Sequence, residues 1–412
     1  MSALALAGGT AIAQAVPILI SPVLTRLYTP HDFGQLSLFT ALIASVGMAA
    51  SGRYDMAMLL PRRDVAARHL FGLAVWVSAA FCAAYLLLLV MAPNVTRQFL
   101  GAQELGGWVY VIPFALFVTA ARTTLGYWAN RAADFRALVK AQWAQTLLAA
   151  AISLALGAAG AGFAGLLLGN IAGVLGAALI LLVGFRGAFG RSALKWTRAK
   201  LALARRFRDY PMYSASSAIV DGVTLTLPIF FLAQHFPVST LGYYALVVRV
   251  ANAPLSFVAS AVSQVNLKKV VQLLHERASV PAHLARLATF LGVFAAVPTL
   301  ILVATAPWLF RHLFGPPWEE AGSYLQILMP SLAVRFVGST LSGTMEATNN
   351  TRIGAAWKVL ALAVTALVML VLAPRGDILL LLIGIAVSDT LLYLLYTYLC
   401  FYAGGRPRLK GS

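Results

Sequence analysis

The sequence predicts an all-α polytopic membrane protein with about twelve transmembrane helices in two six-helix lobes around a central polar cavity. Of its 412 residues, 60% are hydrophobic and 11% are charged, and the mean hydropathy is +0.83. Soluble proteins are about 25% charged. The apolar runs are about 20 residues long, which is the length of a membrane-spanning helix and too long for a barrel strand.

Twelve apolar stretches follow one another along the chain. They cover residues 3–24, 36–60, 69–92, 107–129, 140–159, 162–185, 210–233, 239–263, 283–306, 322–345, 353–373 and 378–402. We therefore expect an N-terminal lobe at 1–185, a basic linker at 186–209, a C-terminal lobe at 210–402 and a basic tail at 403–412. Because no basic leader precedes the first stretch, it is interpreted as a retained helix.

Basic residues alternate between the loops. The loops after even-numbered stretches, together with the tail, carry 22 Lys and Arg residues, eight of them in the linker. The loops after odd-numbered stretches carry only Arg26, Arg97, Arg311 and Arg375. The positive-inside rule therefore places both termini and the linker in the cytoplasm. We interpret the linker as a solvated segment that touches lipid headgroups, and the net charge of +18 as topological, with no nucleic-acid partner.

Polar residues recur at helical spacing inside four stretches. They are Thr10, Gln14, Pro17 and Ser21; Ser214, Ser217, Asp221, Thr224 and Pro228; Arg249, Asn252, Ser256, Ser260 and Ser263; and Ser331, Arg335, Ser339, Ser342 and Glu346. Steps of three and four residues place each set on one helical face. Serine and threonine alone would indicate tight helix packing. A stripe that contains Arg or Asp favours a polar cavity.

Four arginines lie inside the predicted spans, and fewer acidic residues accompany them. The arginines are Arg53, Arg122, Arg249 and Arg335; the acidic residues are Asp221 and Asp389, with Asp55 and Glu346 near span ends. A guanidinium can bind phosphate oxygens in a bidentate manner. The pattern therefore predicts a cavity for an anion, most simply a phosphate or diphosphate. The alternative is that each arginine pairs internally, for example Arg53 with Asp55 or with a carbonyl.

Several other classes of protein are disfavoured. The chain has no GxxxxGK[ST] phosphate loop, so a built-in ATPase is not expected. Cys82 and Cys400 lie in apolar runs and indicate neither a disulfide framework nor a metal site. The short odd-numbered loops leave little room for an outward catalytic site, so we do not expect an enzyme. No cofactor is predicted, apart from H⁺ or Na⁺ coupling.

The first 75 residues carry a specific pattern. It runs Gly9-Thr10, Gln14, Pro17, Pro22, Arg26-Leu27-Tyr28-Thr29-Pro30, Asp32-Phe33-Gly34, Arg53-Tyr54-Asp55 and Leu60-Pro61. This pattern resembles the polysaccharide-transporter family, the O-antigen and exopolysaccharide repeat-unit flippases. Their superfamily includes multidrug and toxin extrusion proteins and lipid II flippases. The rest of the chain fits by its span count and its two-lobed layout.

The resemblance implies a flippase of the bacterial cytoplasmic (inner) membrane. Such proteins move an oligosaccharide on undecaprenyl diphosphate from the inner to the outer leaflet by alternating access between the lobes. Arg53, Arg122, Arg249 and Arg335 would then attract the diphosphate, with Asn252, Gln14 and the stripe serines near the sugar. Asp221 and Asp389 are candidates for ion coupling. Membrane lipids, a polysaccharide polymerase and a chain-length regulator are the implied partners.

Three alternatives are weighed against this function. A multidrug exporter for cationic drugs would need acidic cavity groups, which are fewer here than arginines. A lipid II flippase is chemically closer, although the N-terminal pattern favours the polysaccharide branch. A glycan polymerase or ligase would be expected to carry a large outward loop.

Two local motifs carry structural expectations. In the Arg26–Pro30 segment, Pro30 is expected to fix the direction of the chain, and Asp32 to cap the next helix. Thr240-Leu241-Gly242 opens the eighth stretch as Asp32-Phe33-Gly34 opens the second. This echo supports an internal repeat of six spans.

Overall fold

A computed structural model describes residues 13, 15–93, 102–187, 189, 195–276 and 278–406. The described part consists of helices, turns and short connections and contains no strand. It forms two compact units, and the division between them falls between Gly242 and Tyr243.

Within the described residues, nine α-helices lie wholly in the first unit. They are α1 (Ser21–Leu27), α2 (Pro30–Gly47), α3 (Tyr54–Ala57), α4 (Asp64–Met91), α5 (Ile112–Arg131), α6 (Phe135–Ala158), α7 (Phe163–Phe185), α8 (Arg198–Arg206) and α9 (Ala215–His235). A 3₁₀ segment, Ala102–Val111, precedes α5, and a π-helical turn, Tyr210–Ser214, precedes α9.

The division crosses α10 (Val238–Val247). The second unit continues through a π-helical turn (Val248–Asn252), α11 (Ala253–His275), α12 (Val280–Phe314), a 3₁₀ turn (Pro316–Trp318), α13 (Glu319–Thr340), α14 (Gly343–Ala347), α15 (Thr351–Leu372), a 3₁₀ turn (Ala373–Arg375) and α16 (Ile378–Gly405).

Eight helical stretches in the described residues are long and apolar enough to cross a membrane. They correspond to predicted spans three to seven, nine, eleven and twelve. Spans two, eight and ten are helical but shorter, interrupted or more polar, and much of span one lies outside the described residues. The prediction of an all-α, multi-pass membrane protein is confirmed, whereas the number twelve stays a prediction.

Two predicted spans have different limits in the structure. Span two was expected at 36–60, but α2 ends at Gly47 and turns lead to α3. Gly52 and Arg53 both have positive φ angles, of 59° and 58°, which an α-helix cannot contain. Span eight was expected at 239–263, but a π-helical turn interrupts it and α11 continues to His275. Apolar composition extends across these breaks and therefore did not predict them.

Helices α6 and α7 form a tightly packed hairpin. A Cβ at Gly169 would lie 2.9 Å from the Ala149 carbonyl oxygen and would also overlap Ser153. A Cβ at Gly173 would overlap the Gln145 carbonyl oxygen. Because lipid tails do not drive helices together, such close backbone contact through small residues is the usual means of association in membranes. The hairpin therefore provides a rigid pair of helices.

The Arg26–Pro30 segment acts as predicted at the start of α2. The Thr29 side chain accepts a hydrogen bond from the Asp32 backbone N–H, and Asp32 accepts one from the Thr29 backbone N–H at 2.9 Å. Pro30 occupies the first turn of α2, where its missing N–H has no cost. The Tyr28 hydroxyl donates to the Ser153 carbonyl oxygen at 2.5 Å, so the segment is also fastened to α6. The expected roles of Pro30 and Asp32 at the start of α2 are therefore confirmed.

The echo between Gly34 and Gly242 corresponds to one helix crossing. A Cβ at Gly34 would overlap the Val238 carbonyl oxygen, and a Cβ at Gly242 would overlap the Pro30 carbonyl oxygen. Gly34 lies four residues after Pro30, which Gly242 contacts. Gly242 in turn lies four residues after Val238, which Gly34 contacts. The first turns of α2 and α10 therefore cross in a reciprocal, two-fold-like contact.

Helix α9 also packs on α2, with Gly222 against the carbonyl oxygens of Ala44 and Ser45. Contacts therefore group α9 with the first unit, although the predicted C-terminal lobe begins at 210. Close packing shows which helices are in contact in this conformation. The predicted lobes, by contrast, are sets of helices that move together during transport. The division into lobes at 1–185 and 210–402 stays a prediction.

The basic linker is more ordered than expected. Leu203 and Ala204 of α8 pack against the apolar core that surrounds Met58 and Leu70. The Lys200 side chain is fully buried, and its ammonium donates to the Lys195 carbonyl oxygen at 2.9 Å. Burial lowers the pKa of the Lys200 amine from its ordinary value. The interpretation of the linker as merely solvated is therefore wrong for α8, because the apolar face of the helix finds a core to pack on.

Candidate functional site

Two of the predicted polar stripes share a pocket in the second unit. Ser260 and Ser263 of α11 line this pocket, about 420 Å³ in volume, together with Arg335, Ser339 and Ser342. The hydroxyl oxygens of Ser263 and Ser342 are 2.9 Å apart and share a hydrogen bond. The lining also includes Gln264, Phe336, Glu346 and Tyr393. The stripes of predicted spans eight and ten thus face each other, as polar faces that avoid lipid must.

Arg335 is the cation of this pocket, and Asp389 of α16 lies beside it. The Arg335 Nη1 atom is 3.7 Å from the Asp389 Oδ2 atom, and the two side chains are 33% and 22% exposed. That separation exceeds a hydrogen bond, so the ion pair is loose. The guanidinium carbon also lies 5.5 Å from the centroid of the Tyr393 ring, at a cation–π distance. Arg335 therefore retains donors that a ligand can reach.

Arg249 occupies the π-helical turn between α10 and α11 and is half-buried. Such turns are rare and are often found at functional sites. Asn252 ends the turn, but its side chain lies outside the described residues. Gln14 also lies outside the described residues.

Arg122 lines a separate pocket in the first unit, about 270 Å³ in volume, with Thr123, Tyr127 and Asn130. Its Nη2 atom donates to the Gln142 side-chain oxygen of α6 at 2.9 Å. Its Nε atom is buried without a hydrogen-bond partner in the described part of the chain. Because the amide of Gln142 is neutral, the hydrogen bond orients the guanidinium but leaves its charge uncompensated.

Arg53 lies at the start of α3 in the left-handed backbone conformation. Its backbone N–H donates to the Ser51 hydroxyl at 3.2 Å, and its half-buried side chain has a buried Nε atom without a partner. No ion pair joins Arg53 to Asp55 within the described residues. The Asp55 carboxylate instead accepts from the Met56 backbone N–H at 2.8 Å. The strained backbone is consistent with a functional position.

Internal pairing, the alternative for the four arginines, is found for two of them in the described residues: Arg335 lies beside Asp389, and Arg122 donates to the side-chain oxygen of Gln142. Asp221 is exposed on α9 and Asp389 belongs to the second unit, so the two coupling candidates occupy different surroundings. The predicted central cavity stays a prediction.

Sequence reasoning missed three contacts that shape these pockets. Gln142 is one of several polar residues of α6, and nothing in its spacing pointed to Arg122. Tyr393 gave no signal, since tyrosine is common in membrane helices. The pairing of Arg335 with Asp389 links helices that are far apart in sequence, and an unaligned sequence does not indicate such a contact.

Within the described residues, no group of three His, Cys, Asp or Glu side chains could hold a metal ion. Cys82 and Cys400 are both buried and free.

Comparison with known protein families gives one match over most of the chain. A family model described as polysaccharide biosynthesis protein matches residues 23–323. Amylovoran biosynthesis protein AmsL from Erwinia amylovora is 22% identical over 164 residues, which are 39% of this chain and 41% of AmsL. The chain therefore aligns with less than half the length of this relative.

Several solved structures have a similar fold, among them the following two. The lipid II flippase MurJ in an inward closed conformation matches with a TM-score of 0.74 at 11% identity, over 96% of this chain and 87% of that chain. An inward-facing multidrug resistance MATE family transporter of the MOP superfamily matches with a TM-score of 0.68 at 12% identity, over 99% and 97% of the two chains. At such identities the likeness concerns the fold alone.

Proposed function

Because the chain belongs to the polysaccharide biosynthesis protein family, we propose that it is a flippase for lipid-linked oligosaccharides. It would move repeat units of an O-antigen or exopolysaccharide, carried on undecaprenyl diphosphate, from the inner to the outer leaflet of the bacterial cytoplasmic membrane. Both termini and the basic linker would lie in the cytoplasm. The fold shared with a lipid II flippase supports a lipid-linked cargo.

The pocket around Arg335 carries this proposal. Serine hydroxyls, an amide and a carboxylate surround one guanidinium in this pocket. Hydroxyl and amide groups are suitable partners for sugar hydroxyls, which both donate and accept. A guanidinium can hold a sugar carboxylate or a phosphate. The loose Arg335–Asp389 pair can open when such an anion arrives, because a 3.7 Å contact contains no short hydrogen bond to break.

Phosphate binding is assigned first to Arg122 and Arg53. Neither forms an ion pair with a carboxylate among the described residues, and both have a buried Nε atom without a partner. A diphosphate would compensate both the charge and the missing hydrogen bonds. Arg249, Asn252 and Gln14 remain proposed cargo ligands. Protonation of Asp389 would free Arg335, and this is a route by which H⁺ could be coupled to transport.

One observation favours a second candidate, export of cationic drugs. The fold is shared with a multidrug transporter, and Glu346 lines the pocket near the Arg335–Asp389 pair. Two carboxylates can hold a cationic drug if Arg335 moves away. Family membership favours the oligosaccharide, and the experiment below separates the two functions.

The test is a deletion strain complemented with wild-type protein or with single variants. Lipid-linked glycans are extracted and identified by mass spectrometry. Their cleavage by a membrane-impermeant glycosidase added to the periplasm shows in which leaflet they lie. We expect a complete repeat unit to accumulate on the cytoplasmic side in the deletion strain. Arg335→Gln should lower polymer export about tenfold or more, as loss of a charged hydrogen bond of 1.5–3 kcal/mol implies. The matched control is Arg375→Gln, an exposed arginine, which should restore export.

Each alternative has its own outcome. Accumulation on the periplasmic side would mean that translocation is intact and would support a polymerase or ligase. No accumulation, combined with drug sensitivity of the deletion strain, would support drug export. Normal export by Arg335→Gln at equal protein level would remove Arg335 from the cargo site.

A further inference from the structure

A groove at the open end of the α6–α7 hairpin is not used by the proposed function. It lies between the first turns of α6 and the last turns of α7 and has a volume of about 580 Å³. We call it the hairpin groove; its lining includes Arg136, Lys140, Leu179, Ile180, Val183 and Gly184. The groove combines two cations with an apolar wall, and no other pocket described above has this combination.

The cations of the groove are available to a ligand. Arg136 and Lys140 are four residues apart on α6 and therefore lie on one face of the helix. Both are exposed, and neither takes part in an ion pair or side-chain hydrogen bond found in the described part of the chain. Asp134 also lines the groove, and its carboxylate caps α6 by accepting from the Ala137 backbone N–H at 3.0 Å. The groove thus carries a net positive charge.

The opposite wall is apolar and open. Leu179 and Val183 of α7 are 55% and 59% exposed. A Cβ at Gly184 would meet no atom within 4 Å, so a gap remains between the wall and the cations. A free phosphate would gain nothing from this wall, whereas an acyl chain would cover it. A ligand with a phosphate at one end and a hydrocarbon chain at the other fits both walls.

The walls of the groove are held at a fixed separation. The backbone contacts at Gly169 and Gly173 fasten α7 to α6 along the hairpin. The groove therefore exists before a ligand arrives, and binding does not require the helices to be ordered first.

We infer that the hairpin groove is a binding site for an anionic phospholipid of the surrounding membrane. Arg136 and Lys140 bind its phosphate, and an acyl chain lies along Leu179 and Val183. Helices α6 and α7 are long and apolar enough to cross a membrane, and the ends of such helices lie near the lipid headgroups. Basic pockets between membrane helices at this level bind anionic headgroups. The inference does not depend on the cargo or on the direction of transport.

The test measures lipid binding to the purified full-length protein by native mass spectrometry. Phosphatidylglycerol and phosphatidylcholine with the same acyl chains are added together, and the ratio of the two bound lipids is recorded. Each basic residue near a headgroup contributes about a fivefold change, since it contributes about 1 kcal/mol. Arg136→Gln with Lys140→Gln should therefore lower the ratio about 25-fold. The matched control, Arg62→Gln with Arg63→Gln, removes two exposed arginines outside the groove and should leave the ratio within about twofold.

A second pair of variants leaves every charge in place. Gly184→Trp puts a large side chain into the open gap and should lower phosphatidylglycerol binding about fivefold or more, as loss of one cation contact would. Gly187→Trp is the control, because Gly187 is also free of neighbours but does not line the groove.

Equal losses in the two charge variants would overturn the site and leave only an effect of net charge. An unchanged ratio in Gly184→Trp would also overturn it, as would preferential displacement of phosphatidylglycerol by undecaprenyl phosphate, which would identify a carrier-lipid site.

Discussion

The reciprocal contact of Gly34 and Gly242 makes a sharp prediction about stability. In Gly34→Ala, the new methyl group would overlap the Val238 carbonyl oxygen and lie 2.8 Å from the Val238 carbonyl carbon. The obstacle is backbone, so no side-chain rotation can relieve it. The first turns of α2 and α10 must therefore move apart.

The magnitude follows from two opposing effects. Overpacking that forces backbone to move costs about 3 kcal/mol at the upper end of its usual range. Replacing glycine by alanine inside a helix gains about 0.5–1 kcal/mol. We therefore expect Gly34→Ala to lower the free energy of unfolding by about 2 kcal/mol, or the unfolding midpoint by about 4–8 °C for units of this size.

The assay is thermal unfolding of purified protein in one detergent at one scan rate. The matched control is Gly292→Ala in α12, where a Cβ would meet no atom within 4 Å. This control should be neutral or slightly stabilising, because it keeps the helix gain without the clash. If Gly34→Ala and Gly292→Ala have the same midpoint, the close crossing is not present in the protein.

The double variant Gly34→Ala/Gly242→Ala tests the reciprocity. Both methyl groups need the same separation of α2 from α10, so one movement makes room for both. The combined loss should therefore be at least about 0.5 kcal/mol smaller than the sum of the single losses. Strictly additive losses would show that the two contacts are independent.

Three further local interactions are tested by the same unfolding assay. Asp32→Ala removes the carboxylate of the capping box and should cost about 1 kcal/mol, whereas Asp32→Asn, which keeps an acceptor, should cost less. Gln326→Leu should cost about 1–3 kcal/mol, because its Nε2 atom donates at 2.6 Å to the Val303 carbonyl that Pro307 leaves without a helical partner. In the wild type, stability should rise as pH approaches 10.5, since burial lowers the folded-state pKa of Lys200 and the native state releases this proton first. Lys200→Met should lose that rise, and an identical pH profile would show that the amine is solvated.

Local chemistry was predictable at the start of α2. Thr29, Pro30 and Asp32 act over three residues, so their order along the chain is enough to specify the cap. The fold class was predictable for a similar reason, since a bilayer requires long apolar helices whatever their partners are. The polar stripes of α11 and α13 also followed from helical periodicity alone, and they do line a common pocket.

Helix interruptions were not predictable from hydropathy. The break at Gly52 and Arg53 lies in an apolar stretch, and the left-handed conformation of Arg53 is not a propensity of arginine. Tertiary contacts also fix the chain just beyond α3, where the Arg131 Nη1 atom donates at 2.9 Å to the Met58 carbonyl oxygen. The helix α8 was missed because eight basic residues dominate the linker, and its few apolar residues matter only once a core is beside them.

By itself, the sequence determined the membrane-embedded helical class, the family pattern, the capped turn into α2 and the faces that carry polar groups. These properties depend on interactions between residues a few positions apart in the chain, or on the lipid bilayer that surrounds the helices. Only the tertiary structure decided that Arg335 lies beside Asp389, that Arg122 is oriented by Gln142, and that Gly34 and Gly242 meet in one crossing. Those contacts join distant helices, and their formation depends on how the helices pack, which periodicity along a single chain does not specify.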